Sequence, residues 1–145
     1  MRIADLGMRI GELYIEKEKR AMKGKEQMNS YDMKERTMAF GLKIIRLSEA
    51  IPDRGAGRII KGQLLRCGTS VGANYRAACR AKSSADFVAK MGIVEEEADE
   101  TMYWLEVLVK VGLLRPQDTK DLMKEADEIL AITIASIKTA RKGAR

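Results

Sequence analysis

Four runs of apolar residues recur at the three-and-four spacing of amphipathic helices, and prolines and glycines separate them after Ser30. The first run stops at Pro52, the third stops at Gly112, and Pro116 opens the fourth. We predict helices at about 32–51, 57–82 and 84–111, and a fourth from the LLRPQD segment through about 142. Short connections make neighbouring helices antiparallel. The predicted fold is therefore all-α, an antiparallel up-and-down four-helix bundle.

The spacing assigns one face of each helix to the core. In the first helix this face is Met33, Thr37, Phe40, Ile44, Leu47 and Ile51, and in the fourth it is Leu122, Ala126, Ile129, Leu130, Thr133, Ile137 and Ala140. Ser83 and Asp86 form an S-x-x-D signal, which predicts a capping box at the start of the third helix.

The second helix is rich in small residues, namely Gly68, Ser70, Gly72, Ala73, Ala77, Ala78 and Ala81. A glycine inside a helix costs about 1 kcal/mol relative to alanine, so its use here predicts that another helix approaches closely. A phosphate-cradling loop is the alternative for GTSVGAN, but the segment lacks both the G-x-x-x-x-G-K-[ST] order and a preceding strand. Asn74 and Tyr75 are interpreted as half-buried hydrogen-bonding residues.

The chain is long enough for one domain with its own core. We predict a bundle domain at 31–145 and an N-terminal extension at 1–30, weakly ordered or forming a short helix on the bundle. Met28 or Met33 is an alternative start of translation. No apolar run approaches the roughly 20 residues of a membrane span, and the N-terminus lacks the apolar core of a signal peptide. A cytoplasmic location is expected.

The chain contains no histidine. This excludes a Ser-His-Asp or Cys-His nucleophile, a zinc site that uses histidine, and the Glu-x-x-His pairs of di-iron bundles. Cys67 and Cys79 on one helix would lie about 18 Å apart, too far for a disulfide. The acids of 95–100 spread around their helix instead of converging. We therefore assign no catalytic residue, cofactor or metal ligand, and we predict that the protein is not an enzyme.

Charge changes sign between the second and third helices. Residues 54–82 hold seven cations and no carboxylate, whereas 83–112 hold seven carboxylates and two lysines. A helical projection places four arginines on the face of the second helix opposite its core stripe. They are Arg58, Arg66, Arg76 and Arg80. The guanidinium fork suits phosphate, so this face is a candidate nucleic-acid surface. The alternative is a solvated face, or one paired with the acidic third helix.

The C-terminus adds Lys138, Arg141 and Lys142. These cations either offset the negative end of the helix dipole or extend a phosphate-binding surface around the rim of an oligomer.

The third helix has two apolar faces. Phe87, Met91, Val94, Ala98, Leu105 and Val109 form the predicted core stripe, and Ile93, Trp104, Leu108 and Val111 form a second. The second face could pack against a neighbouring helix of the same bundle, but a tryptophan beside the carboxylates Glu97 and Glu100 is also typical of a subunit interface, with an aromatic anchor and a charged rim. We predict a subunit interface at Ile93, Glu97, Glu100, Trp104, Leu108 and Val111.

From about Glu35 to its end, the chain resembles the 23S rRNA-intervening sequence proteins, most specifically in LLRCGTSVGANYRAACRAKSSADFVAKMGIVEEEADETMYWLEVL. The resemblance implies an antiparallel four-helix bundle, commonly assembled as a ring-like homopentamer, with no settled activity. The chain is more distantly similar to the accessory variability protein of diversity-generating retroelements. That basic pentameric bundle partners a reverse transcriptase and binds nucleic acid. The family core does not need residues 1–30.

These observations together predict a non-catalytic, oligomeric helical-bundle protein that acts as an RNA-associated scaffold or accessory protein. Its expected partners are further copies of itself and RNA or a nucleic-acid-processing protein, with no membrane. The alternative is a protein-interaction module that makes no direct contact with nucleic acid, and whose opposite charge blocks pair between helices and subunits.

Overall fold

The computed structural model describes residues 29–143. These residues form four helices: α1, Ser30–Ser48; α2, Gly55–Ala78; α3, Ser84–Lys110; and α4, Pro116–Gly143. Within this part of the chain there is no strand, and α1 packs on α2, α2 on α3 and α3 on α4. The predicted all-α four-helix bundle is confirmed. The predictions made for residues 1–28 lie outside the described residues.

A capping box that we did not predict starts α1. The Asn29 side-chain oxygen accepts a hydrogen bond from Asp32 N at 3.0 Å, and the Asp32 carboxylate accepts one from Asn29 N at 2.8 Å. The helix ends at Ser48, earlier than predicted, because Ala50 N and Ile51 N donate to carbonyls three residues back. Ile51 nevertheless stays buried.

Hydrogen bonds to the carbonyl three residues back also follow α2, which ends at Ala78, four residues before the predicted end. Arg80 N donates to Ala77 O at 3.0 Å, and Ala81 N donates to Ala78 O at 3.1 Å. Arg80 therefore lies in the turn after α2 and not on the helix itself.

Only half of the capping box predicted for α3 forms. Ser83 Oγ accepts from Asp86 N at 3.0 Å, but the Asp86 carboxylate accepts from Lys82 N at 2.9 Å instead of from Ser83 N. The far end of α3 follows the prediction. Gly112 has a φ of 79°, and Leu113 N donates to Leu108 O at 2.9 Å, which is a Schellman motif.

The core lies where the four helices meet, and its largest buried side chains include Phe40, Phe87, Leu64 and Leu105. The stripe predicted for α1 is buried except for Leu47, which is half-buried. In the described part of the chain, no helix is both long enough and apolar enough to cross a membrane.

Two glycines of α2 allow α1 to approach closely. A Cβ built on Gly68 would lie 2.8 Å from a methyl carbon of Ile44, and one on Gly72 would lie 3.2 Å from the carbonyl carbon and oxygen of Thr37. This confirms, for Gly68 and Gly72, the close approach that the small residues predict. By contrast, Gly62 has nothing within 4 Å of such a Cβ.

Both cysteines are buried and free, and burial raises the pKa of each thiol. We expect 5,5′-dithiobis(2-nitrobenzoate) to react with Cys67 and Cys79 at least about 100-fold more slowly in the native protein than in denaturant, because reaction requires local or global opening. Absorbance of the released thiolate measures both rates. Rapid stoichiometric labelling of the native protein would contradict the burial of these side chains.

Candidate nucleic-acid interface

The four arginines that the projection places on one face of α2 lie in three different environments. Arg58, near the start of α2, bends back onto its own turn. Its Nη2 donates to the Asp53 carbonyl oxygen at 2.9 Å, and its Nε lies 3.4 Å from the Asp53 carboxylate. Arg58 lies near the start of α2, whereas Arg76 and Arg80 lie near its end, so the four do not act as one surface.

Arg66, in the middle of α2, binds the acidic helix α3. Its Nη1 donates to Glu97 at 3.2 Å, and its Nη2 donates to Glu100 at 2.5 Å. Trp104 Nε1 also donates to Glu100, at 3.3 Å. The hydrogen bond from Arg66 is the main cause that lowers the pKa of Glu100. The stability that this pair contributes is therefore fully present above the unfolded-state pKa of the Glu100 carboxylate. It is lost as the pH falls through the lower folded-state pKa.

Because two carboxylates hold the Arg66 fork, a phosphate would have to displace both to reach it. For Arg66 the alternative interpretation of this face is therefore the correct one, since the arginine pairs with the acidic helix α3. Its side chain is about half exposed, so the pair contributes little to stability in water.

Arg76 and Arg80 are exposed, and neither has an ion pair or a side-chain hydrogen bond within residues 29–143. They line one end of a groove between α1 and α2, together with Lys34 and the carboxylate of Glu35. Lys82 follows two residues later, and no carboxylate lies between 76 and 82.

Lys138, Arg141 and Lys142 lie in the last turns of α4, are exposed, and have no ion pair with any described residue. In an up-and-down bundle the C-terminal ends of α2 and α4 lie at the same end. We call this set of five cations the basic end: Arg76, Arg80, Lys138, Arg141 and Lys142. The negative ends of two helix dipoles favour cations here, which is a structural reason for part of the charge.

The outer face of α3 differs from the prediction at Leu108. Ile93 and Val111 are exposed at 40% and 59%, and Trp104 is half-buried, but Leu108 is fully buried. Leu108 belongs to the core because the buried stripe keeps a seven-residue repeat. Its members are Phe87, Met91, Val94, Ala98, Thr101, Leu105 and Leu108. The prediction continued the stripe from Leu105 to Val109 and so assigned Leu108 to the wrong face.

Tyr103 is an exposed aromatic residue on α3 that the prediction missed. Its ring stacks edge to face against Trp104, with centroids 4.9 Å apart, and it is 57% exposed. Glu97 and Glu100 face Arg66 of the same chain, so the charged rim predicted for an interface is already paired within one subunit.

A second apolar face on α1 was also missed. Tyr31, Met38, Leu42 and Ile45 are exposed on the side of α1 that borders the groove to α2. Their spacing of seven, four and three residues is itself a helical stripe, and it was visible beside the core stripe. We define the α1–α2 groove by these four side chains together with Lys34, Ala73, Arg76 and Arg80.

Between residues 29 and 143 no three carboxylate or thiol side chains are grouped closely enough to hold a metal ion. The consecutive acids of α3 point around the helix, and the two that converge, Glu97 and Glu100, converge on Arg66. Among the described residues, this interface therefore holds charged side chains of two kinds: those in ion pairs, such as Arg66, and those without one, such as Arg76 and Arg80.

Residues 29–135 match the family model of the 23S rRNA-intervening sequence protein. The chain belongs to this family. Among solved structures it is similar to a protein of unknown function from the S23 ribosomal protein family of Bacteroides thetaiotaomicron VPI-5482, with 34% sequence identity and a TM-score of 0.68. That match covers 72% of this chain and 97% of the other. No curated protein matches the chain at a significant level. The family assignment and the fold thus agree with the resemblance in residues 64–108.

Proposed function

We propose that this member of the 23S rRNA-intervening sequence protein family is a non-catalytic, homo-oligomeric scaffold that binds RNA phosphates through its basic end in the cytoplasm. The observation that carries the proposal is the set of five exposed cations, Arg76, Arg80, Lys138, Arg141 and Lys142, none of which has an ion pair with a described residue. Phosphate contacts of this kind dominate the affinity of proteins for nucleic acids.

Self-association would strengthen this surface. We expect a homopentameric ring, in which each subunit repeats the same five cations around one rim. The exposed apolar side chains of α3, which are Ile93, Tyr103 and Val111 with the half-buried Trp104, are the surface proposed for subunit contact. A formal charge of +6 per chain then adds up across the ring and attracts RNA at long range.

Charge reversal at the basic end is expected to weaken RNA binding. We expect Arg76→Glu with Arg80→Glu to lower affinity for single-stranded RNA by about tenfold or more, and to reduce the slope of log K against log salt by about 1.4. Fluorescence anisotropy of a labelled oligonucleotide across a salt series measures both quantities, and light scattering checks that the oligomer is intact.

Arg54→Glu with Lys120→Glu is the matched control. Both residues are exposed and lie near helix starts at the other end of the bundle, and the control changes the net charge by the same amount. If the control weakened RNA binding as much as the basic-end variant, binding would follow net charge and the proposed surface would be wrong.

A second candidate function is a protein-interaction module that makes no contact with nucleic acid. The pairing of Arg66 with Glu97 and Glu100 favours it, because there the opposite charge blocks bind each other. Charge reversal of Arg66, Arg76 and Arg80 together separates the two functions. Loss of RNA binding with an intact oligomer supports the RNA scaffold, whereas loss of the oligomer supports the interaction module.

A further inference from the structure

We propose that the α1–α2 groove holds unpaired bases of single-stranded RNA, with one base stacked on the ring of Tyr31. This inference rests on the proposed function, and it adds which form of RNA is bound and by which groups. Tyr31 is 67% exposed among residues 29–143, and it lines the same groove as Arg76 and Arg80. An aromatic ring beside exposed cations is the usual means by which proteins hold single strands.

The two walls of the groove differ in chemistry. The wall from α1 carries Tyr31 and then Met38, Leu42 and Ile45, which are 53%, 45% and 41% exposed. The wall from α2 carries short side chains and leads to the two arginines. The groove has a volume of about 610 Å³, within the range of about 300–1,000 Å³ for sites that hold small ligands. A flat base therefore fits against α1 while its phosphate contacts the arginines.

The charged side chains of the groove decide on which wall the phosphates lie. Glu35, on α1, lines the groove with Lys34, Arg76 and Arg80. Its negative charge repels a phosphate, so the backbone of the strand follows the arginines and not α1. Lys34 precedes Glu35 in the chain and offsets part of this charge. A carboxylate also accepts hydrogen bonds from base amino groups such as N4 of cytosine, so Glu35 suits the side that faces the bases.

Duplex RNA cannot use this groove in the same way. Its bases are paired and stacked inside an A-form helix, which leaves phosphates and hydroxyls as the main contacts. Against the basic end alone, a duplex would bind at least as tightly as a single strand, because its phosphates are more closely spaced. Preference for a single strand therefore reports contact between bases and the groove, whereas equal affinity reports the cations alone.

Two variants of Tyr31 test the stacking contact. We expect Tyr31→Ala to weaken binding of a single-stranded RNA oligonucleotide by about fivefold or more, and Tyr31→Phe to stay within about twofold of the original protein because it keeps the ring. The slope of log K against log salt should be unchanged in both variants, since the ring neutralises no phosphate. Fluorescence anisotropy across a salt series measures affinity and slope, and light scattering checks that the oligomer is intact.

Ile59→Ala is the matched control, because Ile59 is 68% exposed and does not line the groove. It is expected to leave RNA binding unchanged. A duplex RNA of equal length should bind the original protein about fivefold or more weakly than the single strand, and Tyr31→Ala should not weaken duplex binding further.

The outcomes separate this inference from the proposed function. Equal affinity for the two RNAs, or a loss in Tyr31→Ala no larger than in Ile59→Ala, would overturn stacking in the groove and leave RNA binding at the basic end intact. A reduced salt slope in Tyr31→Ala would also overturn it. No binding of either RNA by the original protein would overturn the proposed function itself, and this inference with it.

Discussion

Replacement of Phe40 by alanine is expected to lower the free energy of unfolding by about 3–5 kcal/mol. Phe40 lies on α1 at the centre of the bundle and is 1% exposed. Truncation removes a large apolar area from the core and leaves a cavity that the surrounding helices fill only in part. Because most domains have a stability of 5–15 kcal/mol, this single change would remove a large share of it.

Chemical denaturation followed by far-UV circular dichroism measures this change at one fixed protein concentration, because the stability of an oligomer depends on concentration. Lys43→Ala, an exposed position on the same helix, is the matched control and is expected to change stability by less than about 0.5 kcal/mol. A loss at Phe40 no larger than that of the control would contradict its place in the core.

Replacement of Gly68 by valine is expected to lower the free energy of unfolding by about 2–3 kcal/mol. A Cβ at this position lies 2.8 and 2.9 Å from the buried side chain of Ile44, so α1 and α2 must separate to admit it. Gly62→Val is the matched control on the same helix, since a Cβ there has nothing within 4 Å. We expect the control to stay within about 0.5 kcal/mol of the original protein.

The contact between Gly68 and Ile44 also predicts coupling. Ile44→Ala alone should cost about 2–5 kcal/mol, but in the Gly68→Val background the smaller residue leaves room for the valine. In denaturation experiments, the double variant should therefore lose at least about 1 kcal/mol less free energy of unfolding than the sum of the losses in the two single variants. Strict additivity would show that these side chains do not compete for the same space.

The parts of the fold that could be predicted are those set by a few neighbouring residues. The Schellman turn at Gly112 and the stop near Pro52 depend on the backbone preferences of a few neighbouring residues, so both were predictable. The ends of α1 and α2 were placed three and four residues too late. After both helices the backbone N–H groups donate to the carbonyl three residues earlier instead of four, as in a 3₁₀ turn. The spacing of apolar residues does not reveal this change.

The candidate site was less predictable because its charges pair across long distances in the chain. A helical projection grouped Arg66 with Arg76, because it gives only the angle of each side chain around the axis of α2 and not what lies beside that side chain. Whether a guanidinium is free depends on what the neighbouring helix presents, and Glu97 and Glu100 lie more than thirty residues away. Leu108 was misassigned for a different reason, because the buried stripe on α3 keeps a seven-residue repeat through Leu108, whereas the prediction continued it to Val109.

By itself the sequence determined four helices, their antiparallel order, the acidic and basic blocks and the close approach at Gly68 and Gly72, because periodicity, turn residues and side-chain size act locally. Only the tertiary structure decided which cations of the basic end have no ion pair with another described residue, and which apolar side chains of α1 and α3 are exposed among residues 29–143. Those outcomes depend on the helix that packs beside each residue, since a charge or an apolar group keeps its exposure only where no neighbouring helix covers it.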